Sequence, residues 1–220
     1  TIFIFNSEEL TNFFISKHTV SKGYHLKYKL NQQLEKSISA LRKKKIILVY
    51  GRPSVDRNAF SIILEGLRRW QSHYPQHTKD WEILFVGENF TSSLIDELVS
   101  SQVMGKVTLK EYAKLLSEST IGISIMLSPH PSYPPLEMSS AGIKTITNSF
   151  DFKDLTKRSD FISSLDQVSP DSIAAKINTL VNDFRPNRDK HLYPINSISC
   201  QLPQVDYNSI VKILYLKQTS

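Results

Sequence analysis

Four side chains in this chain have the types and settings to do chemistry on an anionic ligand that carries hydroxyls: Arg52, Arg57, His130 and Glu137. The arginines flank the turn Gly51-Arg52-Pro53-Ser54-Val55-Asp56-Arg57-Asn58. Guanidinium groups donate paired hydrogen bonds that match phosphate oxygens, although two arginines at a turn also serve as plain surface charge. His130 and Glu137 lie in Ser128-Pro129-His130-Pro131-Ser132-Tyr133-Pro134-Pro135-Leu136-Glu137. Pro134-Pro135 suits a helix start, because proline lacks the N–H that would go unpaired there. The remaining N–H groups of the first turn favour an anion such as a phosphate. Glu137 falls in that turn, where the helix dipole stabilises a carboxylate with or without a ligand. It is also placed to accept hydrogen bonds from sugar hydroxyls. His130 suits a base or a phosphate ligand, while a lone loop histidine is more often neither. Tyr133 suits sugar contact or loop packing. Gly142 ends the helix where a left-handed residue is often required.

The elements that hold these residues follow from apolar periodicity. Lys45 to Tyr50 is apolar, β-branched and followed by glycine, a strand signature. The helix after the turn puts Phe60, Ile63, Leu64, Leu67 and Trp70 on one face. Strand, glycine turn and helix form the opening unit of a doubly wound sheet, whose ligands sit at the C-terminal edge. Trp81 to Glu88 is the second strand, and its end places Gly87 and Glu88 at that edge. A short helix is expected over residues 92–99, a short strand over 107–109 and a helix over 110–118. A strand over 121–127 leads into the proline-rich loop, and another follows over 144–148. A turn and short helix come next (150–155), then a last strand at Phe161-Ile162. Ser169-Pro170-Asp171 caps a helix through Ile173, Ile177, Leu180 and Val181.

At the front, residues 1–5 read as a buried strand and Asn6-Ser7-Glu8-Glu9 as the cap of a helix carrying Leu10, Phe13 and Phe14. Residues 17–29 read as irregular. Leu30, Leu34, Ile38 and Leu41 recur at helical spacing. The fold expected is α/β: a Rossmann-like, doubly wound parallel sheet with a short N-terminal strand–helix extension. Residues 1–44 form the extension, 45–183 the sheet domain, and 184–220 a long connection with a closing helix (208–216).

The 220 residues carry a net charge of +6, concentrated in Lys17, Lys22, Lys27, Lys29, Lys36 and Arg42 to Lys45. A basic surface suits an anionic membrane, nucleic acid or a phosphorylated ligand, but no nucleic-acid motif accompanies it. No apolar run approaches the ~18 residues of a membrane span. The start lacks the basic front and cleavage site of a signal peptide, and reads as a chain cut within a domain. The single cysteine, Cys200, excludes an internal disulfide and fits the cytosol. No Cys/His cluster has zinc spacing, and no acidic run suits calcium. The phosphate loop of ATPases, the Gly-x-Gly-x-x-Gly of dehydrogenases, the Gly-x-Ser-x-Gly elbow of hydrolases and an Asp-x-Asp metal motif are all absent.

The segment Pro135-Leu136-Glu137-Met138-Ser139-Ser140-Ala141-Gly142 resembles the Pro-x-Glu-Ala-Met-Ala-x-Gly signature of two-domain GT-B glycosyltransferases. Gly51-Arg52-Pro53…Arg57-Asn58-Ala59-Phe60 and Ser128 to Glu137 together resemble bacterial rhamnosyltransferases of S-layer and rhamnan-type surface glycans. The resemblance covers roughly residues 45–165. It implies the C-terminal, donor-binding half of a GT-B fold and transfer of rhamnose from dTDP-rhamnose to a glycan or lipid-linked glycan. It implies Glu137 on the ribose and Gly51, Arg52, Arg57, Leu136, Met138 and Ser139 around the diphosphate. His130, Ser132 and Tyr133 fall near the donor sugar, and Leu109 and Tyr112 beside the base. It further implies no cofactor beyond the nucleotide-sugar, no metal, an N-terminal partner domain, and a bacterial cytoplasmic setting at the inner face of the membrane. Many retaining members carry a glutamate where Pro129 stands, and Gly-Phe-Gly where His130-Pro131-Ser132 stands, so the anomeric outcome is left open. The alternatives are a nucleotide-sugar epimerase of the same fold and a non-catalytic nucleotide-sugar-binding scaffold.

Overall fold

The computed structural model describes residues 3–20, 23–38, 43–185, 204–205, 208–209 and 211–212. In chain order the elements are β1 (Phe3–Phe5), α1 (Glu8–Ser16), β2 (Gly23–Leu26), α2 (Gln32–Ser37), β3 (Ile46–Gly51), α3 (Phe60–His73), α4 (Pro75–Thr78), β4 (Glu82–Gly87), β5 (Ser101–Gly105), α5 (Leu109–Glu118), β6 (Ile121–Ile123), α6 (Pro134–Ser140), β7 (Lys144–Asn148), β8 (Ile162–Leu165), α7 (Pro170–Asn182) and β9 (Gln204–Val205).

The main sheet has six strands in the order β5-β4-β3-β6-β7-β8, and every pairing is parallel. Parallel strands need helical crossovers that cover both faces, so the central ones are apolar throughout. Within β3 the side chains alternate. Ile47 and Val49 join the core formed with α3 and α7, whereas Ile46 and Leu48 join that formed with α2, α5 and Met138 of α6. From β3 the chain winds outward to β4 and β5, then returns to β6 and winds the other way. That reversal opens a crevice beyond the C-terminal ends of β3 and β6, where ligands of such sheets bind.

The doubly wound α/β expectation therefore holds, while several boundaries move. The short strand lies at 101–105, not 107–109; Thr108 instead caps α5, accepting from the Glu111 N–H while the Glu111 carboxylate takes the Thr108 N–H. Residues 92–99 contain only a 3-10 turn, Ser92–Leu94, β6 stops at Ile123, and the last strand extends to Leu165. The helix expected on Leu30 to Leu41 runs only Gln32–Ser37. Residues 208–209 and 211–212 are helical; the rest of the closing helix, and most of the connection before it, fall outside the described residues.

The front of the chain differs most. Residues 17–29 are not all irregular: β2 pairs in parallel with β1, and β9 joins β2, in a second, three-stranded sheet. β1 is not a buried strand, since Phe3 and Ile4 are exposed and only Phe5 is covered. What anchors this unit is charge. Glu8 and Glu9, in the first turn of α1, are buried against Arg158, whose Nη2 lies 2.7 Å from Glu9 Oε1 and 3.3 Å from Glu8 Oε2. His25 of β2 sits 3.7 Å from Glu8. Burial outweighs the attraction of Glu8 and holds the His25 pKa below its ordinary value, so that contact joins a neutral ring to a carboxylate.

Candidate functional site

Two adjoining cavities, of about 610 and 330 Å³, open at the C-terminal edge of the main sheet and share Tyr50, Arg52, Tyr133 and Pro134. β3 delivers Tyr50 and, just past its end, Arg52. The larger cavity continues over Val86 and Gly87 at the end of β4 to Val107, Leu109 and Tyr112, and closes on Glu137 of α6. Its wall is thus largely aliphatic and aromatic, with one carboxylate, Glu137, and two cations, Arg52 and Lys106. The smaller cavity runs from Arg52 to Arg57, Asn58 and the loop residues Ser128, His130 and Ser132. A separate cavity of about 290 Å³, on Lys43, Lys144 and Lys176, gathers none of the residues expected to contact a ligand.

Glu137 is mostly buried, and burial raises its carboxyl pKa, against the opposing effect of the Tyr112 hydroxyl. Tyr112 Oη donates to Glu137 Oε2 at 3.1 Å. One carboxylate oxygen is thereby oriented, and the other is left to meet a ligand. The same burial and the nearby negative charge push the Tyr112 phenol far above its ordinary value, so it remains a donor.

α6 begins at Pro134 as expected, and Gly142 has φ +72. The first-turn N–H groups are not free, however. Leu136 and Glu137 both donate to the Tyr133 carbonyl at 2.9 Å, and Pro134 and Pro135 have no N–H. Met138 and Ser139 lie a full turn in, where helix geometry directs the N–H back to the residue four before. The side chains of Leu136, Met138 and Ser139 are buried. None of these three lines either cavity, and neither does Gly51. Of the residues expected around a diphosphate, Arg52 and Arg57 remain to meet it. Glu88 turns aside to accept the Ser54 N–H at 3.2 Å.

His130 is locally committed. Ser132, held at φ +66, donates its N–H to His130 Nδ1 at 2.9 Å. An accepting Nδ1 on a neutral ring leaves the proton on Nε2. The Asn6 amide nitrogen is placed 3.0 Å from Nε2; a neutral ring cannot accept from N–H groups at both nitrogens, so we assign the amide the other way round, its oxygen accepting from Nε2–H. Burial, reinforced by Arg57 and Lys153, keeps the His130 pKa below its ordinary value despite the pull of Glu9. Both ring nitrogens are thus engaged, and neither is available as a base. Beneath the loop, Lys153 is fully buried and donates to the Met126 carbonyl, with Asn148 Oδ1 at 3.4 Å.

Sequence reasoning missed Tyr50, Asn58, Lys106, Val107 and Met126 in these walls, and Asn6 beside them. The first five sit at strand ends or in turns on the expected edge, which was the available signal. Asn6 had none, because its approach depends on the docking of α1. Among the described residues no group of three or more His, Cys, Asp or Glu is placed to hold a metal, and no described helix is long and apolar enough to cross a membrane.

The fold of this sheet and its flanking helices matches the C-terminal domains of GT-B glycosyltransferases. The C-terminal domain of the group 1 glycosyl transferase LpcC from Francisella tularensis aligns with TM-score 0.50 and 15% identity, over 72% of this chain and 85% of that one. S. aureus TarM, solved as a point mutant with fondaparinux, alpha-GlcNAc-glycerol and UDP, aligns with TM-score 0.59 and 13% identity, over 81% of this chain and 36% of that one. At the level of sequence, the chain belongs to the family described as WsaF, C-terminal domain, which matches residues 45–178. It is also 29% identical over 104 residues to the O-antigen biosynthesis protein RfbC of Myxococcus xanthus, covering 46% of this chain and 8% of that protein. The chain thus spans a small part of the curated relative that it matches.

Proposed function

We propose that this chain is the donor-binding half of a glycosyltransferase that builds bacterial cell-surface glycan. The observation that carries the reading is Glu137, a buried carboxylate oriented by Tyr112, set in an apolar slot one side of which is Arg52. Such a slot suits a nucleoside: Val107, Leu109 and Tyr112 would flank the base, and Glu137 would accept from the ribose hydroxyls. Arg52 spans both cavities and Arg57 lines the second, which suits a diphosphate lying between ribose and sugar. The sugar would then fall beside Ser132, Tyr133 and the His130 loop.

As the glycosidic bond to the donor breaks, negative charge grows on the departing diphosphate. Preorganised guanidinium groups stabilise that charge, an effect of about 3–4 kcal/mol for a well-placed donor. Arg52 and Arg57 are the groups of this chain placed to supply it. His130 has both nitrogens occupied, so the group that activates the acceptor would come from the rest of the protein. The chain alone would bind donor and transfer little. The sequence likeness favours dTDP-rhamnose as donor and a glycan or lipid-linked glycan as acceptor, with work at the inner face of the membrane. The printed name of RfbC supports a surface polysaccharide, and the UDP in TarM supports a nucleotide-sugar.

The test is transfer by the full-length protein from dTDP-rhamnose and UDP-sugars, in wild type, Arg52→Ala and Glu137→Ala. Loss of about 100-fold or more, with unchanged circular dichroism, is expected. Retained transfer in both variants would refute the assignment, and a wild type that supports glycan synthesis without transferring any sugar would favour a scaffold.

A further inference from the structure

The family match begins at residue 45, yet two residues ahead of it touch the loop that lines the cleft, Asn6 at His130 and Tyr28 at Tyr133. We infer that Asn6 and Tyr28, from the N-terminal unit, are positioning residues that hold the loop 128–134 in its donor-binding shape. This rests on the functional reading above.

The loop cannot hold that shape cheaply by itself. Ser132 sits in the left-handed region at φ +66 and is not glycine, a conformation that persists only when its surroundings enforce it. The local enforcement is the Ser132 N–H bond to His130 Nδ1, which fixes the ring only as long as the ring cannot turn. Asn6 lies at the far edge of the imidazole; with its amide turned so that the oxygen faces Nε2–H, it stops that rotation by accepting from the ring. The arrangement is a relay: amide oxygen, imidazole, strained serine N–H.

Tyr28 acts on the other end of the loop. Its ring stacks on Tyr133 at 5.8 Å between centroids and 26° between planes, and packs against the core cluster of Leu136, Leu155 and Ile162. Tyr133 in turn lies edge-on to His130 at 5.7 Å and lines both cavities. The Tyr28 hydroxyl is buried without a partner, so the ring and not the hydroxyl does the positioning. The N-terminal unit is itself fixed to the sheet domain by the buried pairing of Glu8 and Glu9 with Arg158. The clamp therefore has a rigid base.

The experiment uses the full chain and two readouts. The first is the dissociation constant for dTDP and for UDP. Asn6→Ala and Tyr28→Ala should each weaken binding by roughly three- to tenfold, the scale of one hydrogen bond or one ring pair. Asn6→Asp, which still accepts from Nε2, and Tyr28→Phe, which keeps the ring, should bind like wild type. The second is the nitrogen NMR signature of His130. Wild type should show an Nε2 proton slow to exchange with water at neutral pH, Asn6→Ala should lose that protection, and Asn6→Asp should keep it while raising the pH at which the ring titrates. Wild-type affinity in both alanine variants would overturn the inference. So would a His130 signature that ignores Asn6, which decides the matter even if wild type binds neither nucleotide, the outcome that would instead sink the functional reading.

Discussion

Arg158→Met is the substitution that asks most of this structure. Arg158 has a side chain 3% exposed and meets two carboxylates, Glu8 and Glu9, that are as deeply covered. Its Nε also donates to Glu9 Oε1 at 2.8 Å. Methionine fills a similar volume but leaves two buried carboxylates without their guanidinium, with His25 beside Glu8 and Lys153 in reach of Glu9. Removing one partner of a buried pair costs about 3–5 kcal/mol, because the stranded charge keeps its desolvation penalty. A domain of this size loses about 2–4 °C per kcal/mol, so the midpoint should fall by roughly 6–20 °C. One escape limits the loss: α1 can lift off and hydrate its carboxylates, capping the cost at whatever holds the N-terminal unit down. Urea unfolding at pH 7 measures the global loss, and amide exchange over residues 8–16 detects the escape. Either a large drop in stability or deprotected α1 amides is expected. A change below about 1 kcal/mol with α1 as protected as in wild type would refute the reasoning.

Three further outcomes follow from other parts of the molecule. Burial lowers the Lys153 pKa to about 7 from the ordinary 10.5. Between those values the unfolded chain binds a proton that the native chain lacks, so native stability should rise with pH from about 7 to 10.5. Lys43, lowered to about 8, adds to the slope, and Lys153→Met should flatten it in urea titrations across that range. Tyr112→Phe removes the one bond that opposes the upward shift of Glu137; nucleotide affinity should then begin to fail at a higher pH than in wild type as the solution is acidified. Gly51→Ala would set a Cβ 2.6 Å from Phe60 Cε2, in a ring cluster shared with Phe85 and Phe90, and should cost about 1–3 kcal/mol of stability by overpacking, read from the denaturation midpoint.

The sheet domain was legible because its physics is local. Ile46 to Tyr50 and Ile83 to Val86 are apolar on both faces, as only a covered strand can be, and Phe60 to Trp70 repeats at helical spacing. The strand misplaced to 107–109 shows the opposite case. Edge strand β5, Ser101–Gly105, has little apolar alternation to reveal it, whereas Thr108 and Glu111 carry a helix-capping pattern that was present in the sequence and went unread. At the front of the chain α1 and its Ser7 cap were legible, but what anchors them was not. Glu8 and Glu9 look like ordinary first-turn acids of a solvated helix, and nothing local tells that Arg158 waits 149 residues after Glu9. At the cleft, the strand–turn–helix order put Arg52 and Arg57 at the edge, the loop–helix motif put Glu137 there, and only the family resemblance pointed to Leu109 and Tyr112; all five line the two cavities. Leu136, Met138 and Ser139 do not, because a helix start offers its N–H groups only if no nearby carbonyl takes them, and the Tyr133 carbonyl takes two.

The claim that matters most is that this cleft holds a nucleoside diphosphate through Glu137 and Arg52. Calorimetric titration of the chain with dTDP, UDP, GDP and ADP, repeated on Glu137→Ala and Arg52→Ala, tests it directly. Saturable binding with dTDP preferred, weakened at least tenfold in both variants, is the predicted result. Binding that survives both substitutions at full strength, or no binding of any nucleotide at millimolar concentration to the full-length protein, would contradict it.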